Sequence, residues 1–317
     1  MQIALIGGSG FIGYHLTHEL QNRGYEVEIF DIYQPGDHFP PVKFRLLDLL
    51  EKNQIKKALF DSDYLAIINL AAVTNDKSPN ILDYRVNFEG CRNLVDLLLE
   101  LNYRGRFIQI STQYVQKPIS KKRDGKQNQS MNAYGESKKI AENILIDSSL
   151  QNWLILRPTN VWGSFHPGFP KGFWKIVQKG FYFHPNKTVI RSYGYVESVC
   201  NQIAKFITLS NTDALRKVYY VGDDPIDSFV WVNAFSRELR GKNVKLVPVF
   251  ILYAGSIFGE VLGKIGVHFP LNLKRFKSMT TDYIVSMQPT WDVISKPNLD
   301  FNKSVNMTAQ WFLGVKE

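Results

Sequence analysis

The stretch Gln2-Ile3-Ala4-Leu5-Ile6-Gly7-Gly8-Ser9-Gly10-Phe11-Ile12-Gly13 decides the fold. Residues 2–7, continuously apolar from Ile3 to Ile6, read as a strand buried on both faces. Three glycines at three-residue spacing follow, and helical spacing begins at Phe11. Such a turn has a specific use. Gly7 permits the sharp reversal, Gly10 lets the backbone approach a pyrophosphate, and Gly13 lets helix and strand pack closely. The helix start then offers N–H groups and a positive dipole end to phosphate.

Working outward, the helix runs over residues 11–23 and stops at Gly24. A second strand, 25–31, ends in Asp31. A carboxylate at that point accepts hydrogen bonds from ribose hydroxyls and repels a 2′-phosphate, so NAD is expected in preference to NADP. A third strand, 44–47, leads into Asp48, which is placed either to reach an adenine amino group or to cap the next helix. Helix 52–60, strand 64–70, helix 87–101, strand 106–111, helix 133–147 and strand 153–157 follow in alternation. That order predicts an α/β fold: a Rossmann-type doubly wound parallel sheet with a smaller α/β C-terminal substrate lobe. The expected division is a nucleotide-binding domain over 1–160, with 195–222 returning to the sheet. Residues 161–194 and 223–317 form the substrate lobe, whose first part is rich in Pro, Gly, Phe and Trp.

The 317 residues are 44% hydrophobic and 21% charged, as in a globular chain. No basic segment precedes the opening strand, so no secretory leader is expected. Cys91 and Cys200 lie far apart and form no CxxC, which suits a reduced, cytoplasmic setting. The six histidines make no ligand cluster, so no metal is expected. The longest uncharged apolar stretch, 246–259, contains Pro248 and falls short of the ~18–20 residues that cross a bilayer. Within 247–265 the apolar residues take helical spacing, and Lys245, Lys264, Lys274, Arg275 and Lys277 flank them. This stripe either packs into the smaller lobe or dips toward anionic headgroups at the inner membrane surface. The net charge of +9 favours anionic partners. The one dense basic cluster, 117–126, has no interleaved aromatics, so nucleic acid is not an expected partner.

Tyr134 and Lys138 stand at i and i+4 on one predicted helix and share a face. An ammonium beside a phenol favours the phenolate, which can then remove a hydroxyl proton while hydride leaves the same carbon. Thr112 follows the strand that ends at Ser111 and can hydrogen-bond the reacting oxygen, or simply cap a turn.

The sequence of these features, with Asn69-Leu70-Ala71-Ala72, Asn87 and Arg157-Pro158-Thr159-Asn160-Val161-Trp162-Gly163, resembles the extended short-chain dehydrogenase/reductases. More narrowly it resembles the sugar-nucleotide epimerase/dehydratase family. The resemblance implies that Tyr134 is the base, Lys138 its helper and Thr112 the hydroxyl partner. It implies NAD contacts from Gly7, Gly10, Phe11, Ile12, Gly13, Asp31, Asp48, Leu49, Leu70, Ala71, Ala72, Asn87, Tyr134 and Lys138. Asn160 and Arg191 match residues that touch the substrate diphosphate in the sugar 4-epimerases. Two departures stand out. The dehydratases follow their threonine with Asp-Glu, where this chain has Gln113-Tyr114 and so lacks an acid for water elimination. Val115-Gln116-Lys117 replaces the usual Val-Tyr-Gly. Residues 192–196, Pro248 and Lys274-Arg275-Phe276-Lys277 are similar to a bacterial subgroup that includes the undecaprenyl-diphosphate-N-acetylglucosamine 4-epimerases.

The expected function is C4 epimerisation of an activated sugar, nucleotide- or polyprenyl-diphosphate-linked, through a 4-keto intermediate in surface polysaccharide biosynthesis. A 4-keto-sugar reductase or C4 dehydrogenase would carry the same residues. A nucleotide-sensing scaffold is the non-enzyme alternative. A homodimer is left open.

Overall fold

The structure is a computed structural model that describes residues 1–59, 63–75, 78–117, 129–168, 172–267 and 269–314. The basic cluster at 117–126 lies almost wholly outside these residues. By contact density the chain divides into two units. The first comprises Met1–Val161, Gly194–Asp223 and Val285–Asn298, and the second Trp162–Tyr193, Asp224–Ile284 and Leu299–Glu317. Residues 285–298, which the sequence reading placed in the smaller lobe, group with the first unit. One reason is visible at Thr290, whose hydroxyl donates to the Tyr220 carbonyl at 2.5 Å.

The first unit is built on a seven-stranded sheet. Strands β1 (Gln2–Ile6), β2 (Glu26–Asp31), β3 (Lys43–Leu46), β4 (Ala66–Asn69), β5 (Arg106–Ile110) and β6 (Trp153–Pro158) are joined by strand Lys217–Val221. The spatial order is Lys217–Val221, β6, β5, β4, β1, β2, β3. Every pairing is parallel. Buried β4 reads Ala-Ile-Ile-Asn without alternation, as a strand covered on both faces must. The chain reverses direction of sheet growth between β1 and β4, and a doubly wound sheet binds ligands at that switch.

Register brings the site together. Ile6 pairs with Phe30 and with Asn69, so the loop after β1 emerges beside Asp31 on one side and beside Leu70 and Ala71 on the other. Ile110 pairs with Leu156, which sets Ser111 and Thr112 next to Arg157. Helices α1 (Phe11–Asn22), α2 (Lys52–Leu59), α3 (Cys91–Glu100) and α4 (Ala133–Ile146) cover the sheet. Helix Val196–Ile207 packs on α1, where Asn201 Nδ2 donates to Glu19 Oε1 at 3.1 Å. Its C-terminal end is held by Arg106 of β5, whose guanidinium donates to the Phe206 and Leu209 carbonyls at 2.8 and 2.9 Å. A cation on the last carbonyls satisfies acceptors that the helix itself leaves open.

The predicted helix over 87–101 begins differently. Val86–Gly90 is a single π-helical turn, and α3 starts only at Cys91. Asn87 sits in that turn. Its Oδ1 accepts from the Val73 N–H at 2.8 Å, and its Nδ2 donates to the Val73 carbonyl at 3.1 Å and to Ser137 Oγ at 2.9 Å. The wider turn lets one side chain bond both the segment after β4 and helix α4.

In the second unit, helix Ser228–Arg240 packs against helix Phe301–Gly314. Its core is aromatic: the Trp174 and Phe235 ring centroids are 4.0 Å apart, and Tyr193 stacks on Trp231 at 4.4 Å. Short strands frame it. Ile190–Arg191 pairs antiparallel with Ile226–Asp227, and Phe183–Pro185 pairs parallel with Lys245–Val247. No helix among the described residues is long and apolar enough to cross a membrane.

Candidate active site

The glycine loop has the geometry its spacing requires. Gly7 has φ +74°, and a Cβ there would lie 2.4 Å from the Ala71 backbone. A Cβ at Gly13 would lie 2.0 Å from the Gly8 carbonyl oxygen. Neither position accepts a larger residue without rebuilding the loop. At Gly10 a Cβ would meet nothing nearer than the Gly7 carbonyl at 3.8 Å, so the space over the loop is open. Gly10 is also the N-cap of α1, and no side chain caps that end. By contrast, α4 is capped by Asn132, whose Oδ1 accepts from the Gly135 N–H at 2.8 Å. An uncapped helix start under an open glycine loop is a cradle for an anionic diphosphate.

Asp31 closes one side of this cradle. Its carboxylate accepts from the Ser9 N–H at 3.0 Å and the Tyr33 N–H at 3.1 Å. The loop therefore holds an acidic acceptor at the end of β2, where a ribose would lie. Asp48 Oδ1 accepts from the Leu50 N–H at 2.9 Å, which is the turn-capping alternative. Leu49 is buried against Gly90, and its carbonyl accepts from Asn93 Nδ2 at 2.9 Å. Leu70 and Ala71 are fixed by backbone: the Leu70 N–H donates to the Ile6 carbonyl at 2.7 Å, and the Ala71 N–H donates to Asn69 Oδ1 at 3.2 Å. Phe11 and Ile12 form the first turn of α1, and Ala72 follows Ala71 half-buried.

The chemistry-bearing side chains converge at the ends of β5 and α4. Tyr134 is half-buried, its ring 6.1 Å from Tyr84 and 6.5 Å from Tyr114. Lys138, one turn further, is 1% exposed. Burial penalises its ammonium and lowers its pKa from 10.5 to about 8, while Cys91 and Glu142 pull the other way. Thr112 is buried and caps the short turn Gln113–Val115, with Oγ1 accepting from the Tyr114 N–H at 3.3 Å. That bond uses one lone pair and leaves the hydroxyl proton available to a reacting oxygen. Tyr114 Oη donates to Asn160 Oδ1 at 3.2 Å, so the Asn160 side chain is oriented by the turn that Thr112 caps. Arg191 belongs to the second unit. Its Nη2 donates to the Ser278 carbonyl at 2.5 Å and to Ser278 Oγ at 3.2 Å.

Two participants escaped the sequence reading. Glu142 is one further turn along α4 and 2% exposed. Arg157 of β6 meets it with two bonds, Nε–Oε1 at 2.9 Å and Nη2–Oε2 at 2.6 Å, and Ser111 Oγ donates to the same carboxylate at 2.5 Å. This buried ion pair ties β6 to the helix that carries Tyr134 and Lys138, and the Ser111 bond ties in the end of β5, where Thr112 follows. The i, i+4 run Tyr134, Lys138, Glu142 was a readable signal; its partner on β6 was not. Tyr114 is the second, through its bond to Asn160.

Residues 3–222 match the NAD dependent epimerase/dehydratase family. The chain is 27% identical to the sterol-4-alpha-carboxylate 3-dehydrogenase, decarboxylating, of Mus musculus, over 263 residues that cover 78% of this chain and 71% of that one. It is 28% identical to the UDP-glucose 4-epimerase of Caenorhabditis elegans over 205 residues, 54% of this chain and 58% of the other. The crystal structure of the UDP-glucose 4-epimerase of Thermus thermophilus in complex with NAD has the same fold, with a TM-score of 0.72 over 100% of both chains at 20% identity.

Proposed function

The chain belongs to the NAD dependent epimerase/dehydratase family, and from that premise we propose that it inverts C4 of a sugar carried on a diphosphate, through a 4-keto intermediate and with NAD as its resident cofactor. The observation that supports the reading is that buried Lys138 lies one turn after Tyr134 on α4, and that the Tyr134 ring lies 6.5 Å from that of Tyr114 in the turn Thr112 caps, in a unit whose open glycine loop bonds Asp31.

Asp31 would hold the adenosine ribose, the Gly7–Gly13 loop the diphosphate, and Lys138 the nicotinamide ribose. When bound there, the nicotinamide supplies a hydride acceptor and donor. The chain's own residues do the rest. Thr112 Oγ1 hydrogen-bonds the sugar's 4-oxygen and fixes it against Tyr134. The Tyr134 phenolate, favoured by the Lys138 ammonium, takes the 4-hydroxyl proton as the C4–H bond is broken. The same phenol returns that proton to the oxygen once C4–H is reformed on the opposite face. Asn160 would hold the substrate diphosphate on the first unit; Arg191 is the other residue that the family resemblance assigns to a diphosphate. Gln113 and Tyr114 place no carboxylate after Thr112 to eliminate water, so the 4-keto sugar returns to alcohol.

The carrier is a nucleotide or a polyprenyl diphosphate. The exposed apolar helix of the second unit and the net charge of +9 support the second, with the protein peripheral at the inner membrane surface and its product bound for surface polysaccharide. The dehydrogenase relatives favour one other reading, a C4 dehydrogenase or 4-keto-sugar reductase that exchanges its cofactor.

The test is a panel of nucleotide- and polyprenyl-diphosphate-linked hexoses and N-acetylhexosamines, followed by NMR with and without added cofactor. Epimer formed without added NAD supports the proposal. Stoichiometric consumption of NAD(H) or NADP(H) replaces it with the oxidoreductase reading. No conversion of any sugar removes both.

A further inference from the structure

Helix Val249–Lys264 is built inside out. The side it turns toward the protein carries Leu252, Ser256 and Gly259 at i, i+4 and i+7, all buried and mostly small. A Cβ at Gly259 would lie 1.8 Å from the Leu271 carbonyl, so this face is closely packed and already satisfied. The bulky apolar side chains point the other way. Phe250 is 72% exposed, Phe258 57% and Ile265 70%, and Tyr253, Ile257 and Val261 are exposed between them. A helix at the surface of a water-soluble protein normally shows the reverse arrangement. A contiguous apolar face of this kind marks a contact surface. The expectation that the stripe packs into the smaller lobe is thereby corrected: the lobe needs only its small-residue side.

Basic residues flank this helix in the sequence and lie on the helix packed against it. Residues 245–280 contain Lys245, Lys264, Lys274, Arg275 and Lys277 against one acid, Glu260. Three of the five lie on helix Leu273–Thr280, which packs on the first helix and buries none of its own residues. Asn272 caps it, with Oδ1 accepting from the Arg275 N–H at 2.9 Å. The first helix has 16 residues, about 24 Å at 1.5 Å each, short of the roughly 30 Å hydrocarbon core. It is therefore too short to span that core.

We propose that these two helices form a docking hairpin that seats the second unit on an anionic bilayer, with Phe250, Ile257, Phe258 and Val261 immersed below the headgroups and the lysines and Arg275 on lipid phosphates. Charge selects lipid over a second copy of this chain, because two such faces would bring ten cations together. The inference deepens the lipid-borne carrier named above and rests on that part of the reading; it does not rest on the C4 chemistry. An apolar face in the headgroup region, flanked by cations, brings the protein to a diphosphate whose polyprenyl tail keeps it in the bilayer.

The test is co-sedimentation of the full chain with phosphatidylcholine vesicles and with vesicles containing phosphatidylglycerol. The wild-type protein sediments with anionic vesicles at low salt and is released at high salt. Phe250→Glu with Phe258→Glu, and separately Lys274→Glu with Lys277→Glu, lower the bound fraction on the order of tenfold or more. Both double variants keep NAD binding and turnover on a water-soluble substrate. Full recovery of wild type in the supernatant with anionic vesicles at low salt overturns the proposal. So does a lipid-free dimer that Phe250→Glu with Phe258→Glu converts to monomer, since that assigns the face to a second copy. Vesicle binding by a protein that turns over no sugar leaves the hairpin standing and removes the C4 reading alone.

Discussion

At the scale of single residues, Lys138 matters most, because burial pulls its pKa down to about 8. The ammonium proposed to act beside Tyr134 is therefore lost as pH rises through that value. Turnover should therefore fall above about pH 8, and a pH–rate profile on the confirmed substrate measures it. Stability runs the other way. Between about pH 8 and 10.5 the unfolded chain holds a proton on Lys138 that the folded chain does not. Stability rises with pH across that window, because the unfolded state binds more protons there. Lys138→Met should flatten the rise, read as urea midpoints for the two proteins. On the proposed reading, Asp31 sets cofactor choice. The wild-type protein should prefer NAD to NADP by about tenfold or more, ~1.4 kcal/mol, and titration of Asp31→Ala with both dinucleotides should show that preference eroded. The positions of these residues were legible because each depends on local spacing: a glycine turn, a strand end, an i, i+4 pair. The capping bond that Thr112 Oγ1 accepts from the Tyr114 N–H was an open alternative that the structure fills.

At the scale of elements, α4 and β6 are tied by a charge pair that local spacing does not reveal. Glu142 was visible as the next position on the Tyr134–Lys138 face. Its partner Arg157 is chosen by sheet register, where Ile110 pairs with Leu156, and register comes from many strand contacts at once. Breaking a buried pair leaves one charge without compensation. Arg157→Met should cost about 3–5 kcal/mol of unfolding free energy in urea. The combined change Glu142→Leu with Arg157→Met should cost less than the single one. A single variant no less stable than wild type would show that the pair is solvated. The π-turn at Val86–Gly90 was equally hidden. Periodicity carried the helix from 87 onward, and only the bonds from Asn87 to Val73 and Ser137 explain why the first turn widens.

At the scale of the molecule, the parallel sheet follows from alternation of apolar runs with helical spacing, and that pattern was plain from residue 2 to residue 157; the strand order comes from pairings that local spacing does not show. The second unit was less legible. Its aromatic core joins Trp162, Trp174, Trp231 and Phe235 from separated segments, and its strands are two or three residues long, too short to show a period. The apolar stripe at 247–265 was readable as helix, but whether it faces protein or solvent depended on which side the small residues took. One measurement tests the central claim most directly, that Tyr134, Lys138 and Thr112 drive reversible oxidation at C4. The substrate identified by the panel is prepared with deuterium at C4 and incubated with wild-type protein and with Tyr134→Phe, and the products are read by NMR and mass spectrometry. The account predicts epimer from the wild type with deuterium retained at C4, and turnover lowered on the order of 10²–10⁴-fold in Tyr134→Phe with NAD binding intact. Epimer in which C4 deuterium has exchanged with solvent, or near-normal turnover in Tyr134→Phe, would contradict it.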